Sequence, residues 1–70
     1  MIQEIRREEL RKKRLDAGLS QQDAAYKCRI SAAQYQRIEA GYINPNQETA
    51  DKIIHLFQLP NNYFSKAESL

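Results

Sequence analysis

The chain has 70 residues and a formal net charge of +2 at pH 7, which leaves room for one small domain at most. Its single Cys excludes an intramolecular disulfide, and one Cys with one His cannot assemble a structural zinc site. We therefore expect no metal, and we expect a reducing, cytoplasmic location. The amino-terminal residues are too charged for a secretory signal, and no apolar run approaches the length of a membrane span. Few Gly and Pro and a helical spacing of apolar residues predict an all-α fold.

The first helix is predicted from Gln3 to Ala17, ending at a left-handed Gly18. Ile5, Leu10 and Ala17 mark its apolar side, but Arg14 falls where that side should also be apolar. Nine consecutive positions hold six of the eleven cationic residues, which are Arg6, Arg7, Arg11, Lys12, Lys13 and Arg14. This cluster fits either a solvated helix face or a polyanionic partner.

Two helix-start signals then lie eleven residues apart, Ser20-Gln21-Gln22-Asp23 and Ser31-Ala32-Ala33-Gln34. Each Ser can cap a free backbone N–H, and the Asp or Gln can bond back to the Ser N–H. Helices are therefore predicted over 21–28 and 32–40, joined by a tight turn at 28–30 and ending at Gly41. A pair of this kind, here residues 20–41, can lay its second helix into a DNA major groove.

A fourth helix is predicted after an Asn46 cap, with Ala50, Ile53, Ile54 and Phe57 as its buried stripe. Tyr63 and Phe64 open a short fifth helix or a turn. The expected architecture is a compact five-helix bundle that makes one domain of residues 1–70.

From Leu10 to about Phe64 the chain resembles the Cro and phage-repressor helix-turn-helix family, also called the XRE family. The residues that carry the resemblance are Arg14, Gly18-Leu19-Ser20-Gln21, Ala25, Ile30-Ser31, Arg37-Ile38-Glu39-Ala40-Gly41, Pro45 and the stripe of the fourth helix. The resemblance implies a lambda-repressor-like DNA-binding domain.

The resemblance also implies which residues read bases: Ser31, Ala32, Ala33, Gln34, Gln36 and Arg37. Arg37 is the strongest candidate because its guanidinium can donate two hydrogen bonds to guanine O6 and N7. The alternative for Arg37 is a surface bridge to Glu39 or Asp23. Gln34 has two possible roles, a bond back to the Ser31 N–H or a contact with a phosphate or an adenine edge.

Phosphate contacts are implied for Gln21, at the start of the second helix, and for Asn44 and Gln47, around the loop after the third. Arg14 and Glu39 match a charged pair that joins the first and third helices, and we expect a structural role for it. Arg29 stands where the family has Gly, at a position expected to need positive φ, and a nearby phosphate or carboxylate would offset its strain.

Departures from the family also affect the expected core. Ala24 and Cys28 replace larger residues of the second helix, whereas Tyr35 replaces a smaller aliphatic residue of the third. A volume exchange across the core would reconcile these differences, with Cys28 as a buried apolar filler.

The sequence contains no catalytic constellation, so we expect no enzyme, no cofactor and no small-molecule substrate. The predicted function is sequence-specific binding of double-stranded DNA by a transcriptional repressor that occupies an operator as a homodimer. Dimer contacts are expected from Tyr63, Phe64 and the end of the fourth helix, or from a longer parent chain. The alternative is a protein-interaction module of the same fold, of the antitoxin or antirepressor type.

Overall fold

The computed structural model describes residues 7–64, and within them the chain forms four α-helices and no strand. They are α1 (Glu8–Asp16), α2 (Gln21–Cys28), α3 (Ala32–Ala40) and α4 (Gln47–Phe57). The all-α class is confirmed, and the bounds of α2 and α3 agree with those predicted. The count of five helices is not confirmed, because residues 61–64 form a turn and the residues after them lie outside the described part.

Side-chain caps explain where three of the helices begin. Ser20 Oγ accepts from the Asp23 N–H at 3.0 Å, and Asp23 accepts from the Ser20 N–H at 3.1 Å, so both bonds of a capping box are present. Asn46 Oδ1 accepts from the Thr49 N–H at 2.8 Å at the start of α4. At α3, Ser31 Oγ accepts from the Gln34 N–H at 3.0 Å.

The first helix differs from its prediction at both its start and its apolar side. Arg7 is the non-helical residue before α1, and the predicted residues Gln3 to Arg6, including Ile5, lie outside the described part. Ala17 is exposed, whereas Leu10 and Arg14 are buried. The helix therefore turns a charged side chain inward, and Ala17 serves as the residue that ends it.

The core lies where α2, α3 and α4 meet α1. Leu10, Tyr35, Ile38 and Ile53 are fully buried. The stripe of α4 is buried as predicted, together with Leu59 from the segment that follows it.

The residues of the predicted volume exchange all lie in this core. Ala24 and Cys28 are buried on the α2 side, and Tyr35 is completely buried on the α3 side, as such an exchange requires. Burial raises the pKa of the Cys28 thiol, which keeps the thiol protonated and poorly reactive.

Four residues in the described part have positive φ, and two of them are not glycine. Gly18 and Gly41 follow α1 and α3 as predicted. Arg29 has φ of 62°, as expected from its position in the turn. Gln58, at φ of 56°, was not predicted, and it turns the chain so that the Leu59 N–H donates to Ile54 O at 2.9 Å while Leu59 enters the core.

None of the helices within residues 7–64 is both long and apolar enough to cross a membrane.

Candidate nucleic-acid interface

Helix α3 has one buried face and one exposed face. Tyr35, Ile38 and Glu39 are buried, which holds the helix firmly against the rest of the domain. Ala33, Gln36 and Arg37 are exposed and follow the i, i+3, i+4 spacing of a single face. We call these three residues the exposed face of α3. It contains three of the six predicted base-reading residues.

The guanidinium of Arg37 has no ionic or hydrogen-bond partner among residues 7–64. Both carboxylates considered as its partners are used elsewhere. Glu39 is buried and binds Arg14, and Asp23 binds the backbone N–H of Ser20. The alternative of a surface bridge from Arg37 to either carboxylate is therefore not present, and its exposed guanidinium remains available to a ligand.

The other three predicted readers occupy the start of α3. Ser31 is exposed and caps the helix, while Ala32 is half-buried and packs against the core. The Gln34 backbone N–H binds Ser31 Oγ, but within the described residues its side-chain amide does not bond back to the Ser31 N–H. The first of its two possible roles is therefore not adopted, and the half-buried amide remains available to a ligand.

Arg14, Glu39 and Gln21 form a polar junction between α1, α2 and α3. Arg14 Nε donates to Glu39 Oε2 at 2.9 Å, and Arg14 Nη1 donates to Leu19 O at 2.9 Å. The second oxygen of the same carboxylate accepts from Gln21 Nε2 at 2.6 Å. Glu39 of α3 thus connects Gln21 of α2, the residue predicted to reach a phosphate, with Arg14 of α1.

An open groove of about 460 Å³ lies beside this junction, between the start of α1, the start of α2 and the second half of α3. Its lining residues are Arg7, Glu8, Arg11, Gln21, Gln36, Glu39 and Ala40. The groove brings Gln21 together with Gln36 and with Arg11, an exposed cation from the basic cluster of α1.

Asn44 and Gln47 do not join that group. They line a second recess of about 210 Å³, whose walls include Pro45, Ala50 and Phe64. Both side chains already have partners inside the chain. Asn44 Oδ1 accepts from the Arg7 guanidinium, and Gln47 Nε2 donates to Asp51 Oδ1 at 2.8 Å.

Arg29 lies in the turn between α2 and α3 with its side chain exposed. No described carboxylate forms an ion pair with it. A phosphate or a carboxylate was expected to offset the strain of its positive φ, and no carboxylate within residues 7–64 does so.

Sequence reasoning did not identify the role of Arg7, which it counted within one basic cluster. Arg7 Nη1 donates to Ile38 O at 2.6 Å and to Ile43 O at 3.1 Å, and the guanidinium carbon lies 5.0 Å from the centre of the Phe64 ring. Burial lowers the pKa of Arg7 below its ordinary value. No local pattern could have separated Arg7 from Arg11, because its partners lie more than thirty positions along the chain.

The carboxy-terminal turn is also bound within the chain. Tyr63 Oη accepts from the Leu10 N–H at 3.2 Å, and the rings of Tyr63 and Phe64 meet edge to face. Both residues, predicted as dimer contacts, are half-buried and pack against the core.

A small helical domain in which a capped α2 meets α3 across a tight turn, with one face of α3 exposed, belongs to the helix-turn-helix class. A family model described as helix-turn-helix matches residues 10–64. The chain belongs to this family of Cro/C1-type helix-turn-helix domains, the XRE family, whose members are DNA-binding regulatory domains and are not typically enzymatic. No curated protein and no solved structure gives a match.

Proposed function

We propose that this chain is a sequence-specific regulator that represses transcription by occupying an operator, with α3 in the major groove of the double helix. One observation carries this proposal above the others. Arg37 stands on the exposed face of a helix whose opposite face is buried, and its guanidinium has no partner among residues 7–64. An unpaired guanidinium on a helix that is itself held by its buried face suits bidentate recognition of guanine.

The remaining predicted readers would act around Arg37. Gln36 would read an adenine edge or reach a phosphate, and Ala32 and Ala33 would make close apolar contact with thymine methyl groups. Ser31 and Gln34 would bind the backbone at the start of α3. None of these positions other than Arg37 carries a charge, so base discrimination should depend most on Arg37.

Phosphate contacts would come from two places beside α3. Gln21 and Arg11 line the groove next to it. Asn44 and Gln47 line the second recess, and their amides keep a free donor or acceptor after their internal bonds are counted. Arg29, in the turn, would contribute a further cation. These contacts would fix the register of α3 on the duplex.

We also propose that two copies bind as a homodimer. Two of the three dimensions of the domain are 24 and 21 Å, less than the ~34 Å that separates consecutive major grooves on one side of the duplex. Two domains can therefore lie in consecutive major grooves when the longest dimension of each, 33 Å, does not run along the duplex axis. The large apolar side chains exposed in residues 7–64 are Leu15, Tyr26, Tyr42 and Ile43, which are the candidates for contact between copies.

The test is selection of bound duplexes from a random pool at physiological salt, with wild type, Arg37→Gln and Lys52→Gln in parallel. Lys52→Gln removes the same charge from α4, where Lys52 pairs with Glu48 at 3.5 Å. We expect wild type and Lys52→Gln to enrich the same inverted repeat. Arg37→Gln should lose the preference for one guanine, weakening that site by about 1–3 kcal/mol.

A reporter with the enriched sequence placed across its promoter then tests repression, because occupancy there should lower transcription. A folded wild-type protein that enriches no sequence would contradict operator binding and favour the protein-interaction module. If Arg37→Gln enriches the same sequence as wild type, the role of Arg37 is contradicted, but operator binding by the chain is not.

A further inference from the structure

The two arginines at the start of α1 stand one helical turn apart but have different surroundings. Arg11 is exposed and has no partner within the described residues, as expected for a solvated or phosphate-binding cation. Arg7 is half-buried, and its guanidinium donates hydrogen bonds to two separate parts of the chain, the end of α3 and the loop at residues 43–44. Their sequence neighbourhood is similar, so the difference comes from the fold.

Arg7 donates to two of the last carbonyls of α3, Glu39 O and Ile38 O, the second of which also accepts from the Gly41 N–H. The last carbonyl groups of a helix have no partner inside it and carry partial negative charge. The Arg7 guanidinium donates to Ile38 O at 2.6 Å, and the Arg7 backbone N–H donates to Glu39 O at 3.1 Å. A cation is thereby placed at the negative end of the helix that carries Arg37.

The same guanidinium holds the loop that follows α3. Nη1 donates to Ile43 O at 3.1 Å, and Nη2 donates to the side-chain oxygen of Asn44. Because the Asn44 amide oxygen accepts from Arg7, the NH₂ group of the same amide points away from the guanidinium. On the remaining side, the Phe64 ring covers the guanidinium at 5.0 Å.

We propose that Arg7 is a positioning residue, which holds the end of α3 and the Asn44 amide in the arrangement that binds DNA and does not itself neutralise a phosphate. This inference rests on the proposed function, because it assigns a role within the same interface. It predicts that the two arginines affect DNA binding differently: Arg7 through the shape of the protein, and Arg11 only through its charge.

The first experiment uses the free protein and needs no DNA. Amide NMR spectra are compared for wild type, Arg7→Gln, Arg7→Lys and the control Arg11→Gln. We expect Arg7→Gln to shift the signals of the last turn of α3, of Ile43 and of the Asn44 side-chain amide, and to speed their hydrogen exchange. Arg11→Gln, which removes the same charge, should leave these signals in place.

Arg7→Lys keeps the positive charge but cannot reach three acceptors with a planar fork, so its spectrum should lie between those of wild type and Arg7→Gln. If Arg7→Gln fails to fold, Arg7→Lys takes its place in the comparison. Unchanged signals for the Asn44 amide in every folded Arg7 variant would overturn the proposal.

The second experiment measures affinity for the enriched duplex at several salt concentrations. The logarithm of the binding constant falls with the logarithm of salt concentration, with a slope of about 0.9 for each neutralised phosphate. We expect Arg7→Gln to weaken binding about tenfold without changing this slope. A slope reduced by about 0.9 in Arg7→Gln would show direct phosphate contact and overturn the proposal.

A double-mutant cycle tests whether Arg7 acts through Asn44. If it does, Arg7→Gln should weaken binding less in an Asn44→Ala background than in wild type, because the amide it would orient is gone. Equal effects in both backgrounds would contradict this route. If wild type binds no duplex, the proposed function fails, and the NMR comparison alone decides whether Arg7 positions the loop.

Discussion

At the scale of single residues, the most informative feature is a charged residue inside the apolar side of α1. Arg14 faces the core because Glu39 and Leu19 O supply acceptors for its guanidinium. Glu39 in turn uses its second oxygen to hold Gln21 at the start of α2. A buried pair of this kind adds little net stability but makes other orientations of the three helices costly.

We predict that Arg14→Met lowers the free energy of unfolding by about 3 kcal/mol, because it leaves the Glu39 carboxylate buried without its cation. Urea denaturation measures the loss. The double variant Arg14→Met/Glu39→Leu should recover most of it, since no unpaired charge remains.

The matched control for this prediction is Lys52→Met. It breaks the solvent-exposed pair with Glu48 and should cost less than about 0.5 kcal/mol. A loss for Arg14→Met as small as that for the control would contradict the role assigned to the buried pair.

At the scale of elements, the helix ends determine how α2 and α3 meet. The capping box at Ser20 starts α2, and the left-handed residue Arg29 ends it. A second non-glycine residue, Gln58, ends α4 in the same conformation. Each of these left-handed residues carries strain that glycine would relieve.

We predict that Arg29→Gly and Gln58→Gly each raise the free energy of unfolding by about 1 kcal/mol. The two variants should differ in DNA binding. Arg29→Gly should weaken affinity and reduce the salt slope by about 0.9, because a phosphate contact is lost, whereas Gln58→Gly should change neither. If the two variants bind DNA with the same affinity and the same salt slope, Arg29 does not contact the DNA.

The capping box also makes stability depend on pH. The Ser20 backbone N–H, and then the Ser20 hydroxyl, hold the pKa of Asp23 below its ordinary value. The folded chain therefore binds fewer protons than the unfolded chain in acid. The stabilisation is present above about pH 4, the ordinary pKa of Asp, and is lost as pH falls through the lower pKa of the folded state.

We accordingly predict that the melting temperature of wild type falls more steeply than that of Asp23→Asn between about pH 4.5 and 2.5. Asp16→Asn is the control, because the exposed Asp16 carboxylate accepts no hydrogen bond within residues 7–64. Parallel melting curves for wild type and Asp23→Asn would contradict the prediction.

At the scale of the whole molecule, size governs how two copies can share one duplex. The 24 and 21 Å dimensions permit one domain in each of two consecutive major grooves. Binding by a pair would then depend on which face of the duplex each half-site presents.

We predict that two copies bind cooperatively to an inverted repeat whose half-site centres lie about 10–10.5 base pairs apart. Insertion of about five base pairs moves one half-site to the opposite face and should abolish the cooperativity. Titration of each duplex with protein, with the stoichiometry measured, distinguishes cooperative from independent binding. Affinity that is insensitive to spacing would show that the copies bind independently.

Local patterns were sufficient to predict much of this protein. Capping residues and apolar spacing depend on atoms within one or two helical turns, so the all-α class, the bounds of α2 and α3, and the buried stripe of α4 could all be predicted from the residues alone. The positive φ of Arg29 was also predictable, but from the resemblance, because Arg29 stands where the family has Gly.

Long-range contacts were decided only by the tertiary structure. Arg7 and Arg11 lie in the same basic cluster, yet only Arg7 meets the end of α3, because that position depends on how α1 packs thirty residues away. Packing also decided that Leu59, directly after Gln58, enters the core, and that Arg14 rather than Ala17 is buried on α1. Arg14 is buried together with Glu39 of α3. In each case, the residue meets segments that are distant in sequence, which only the packing of the helices brings near.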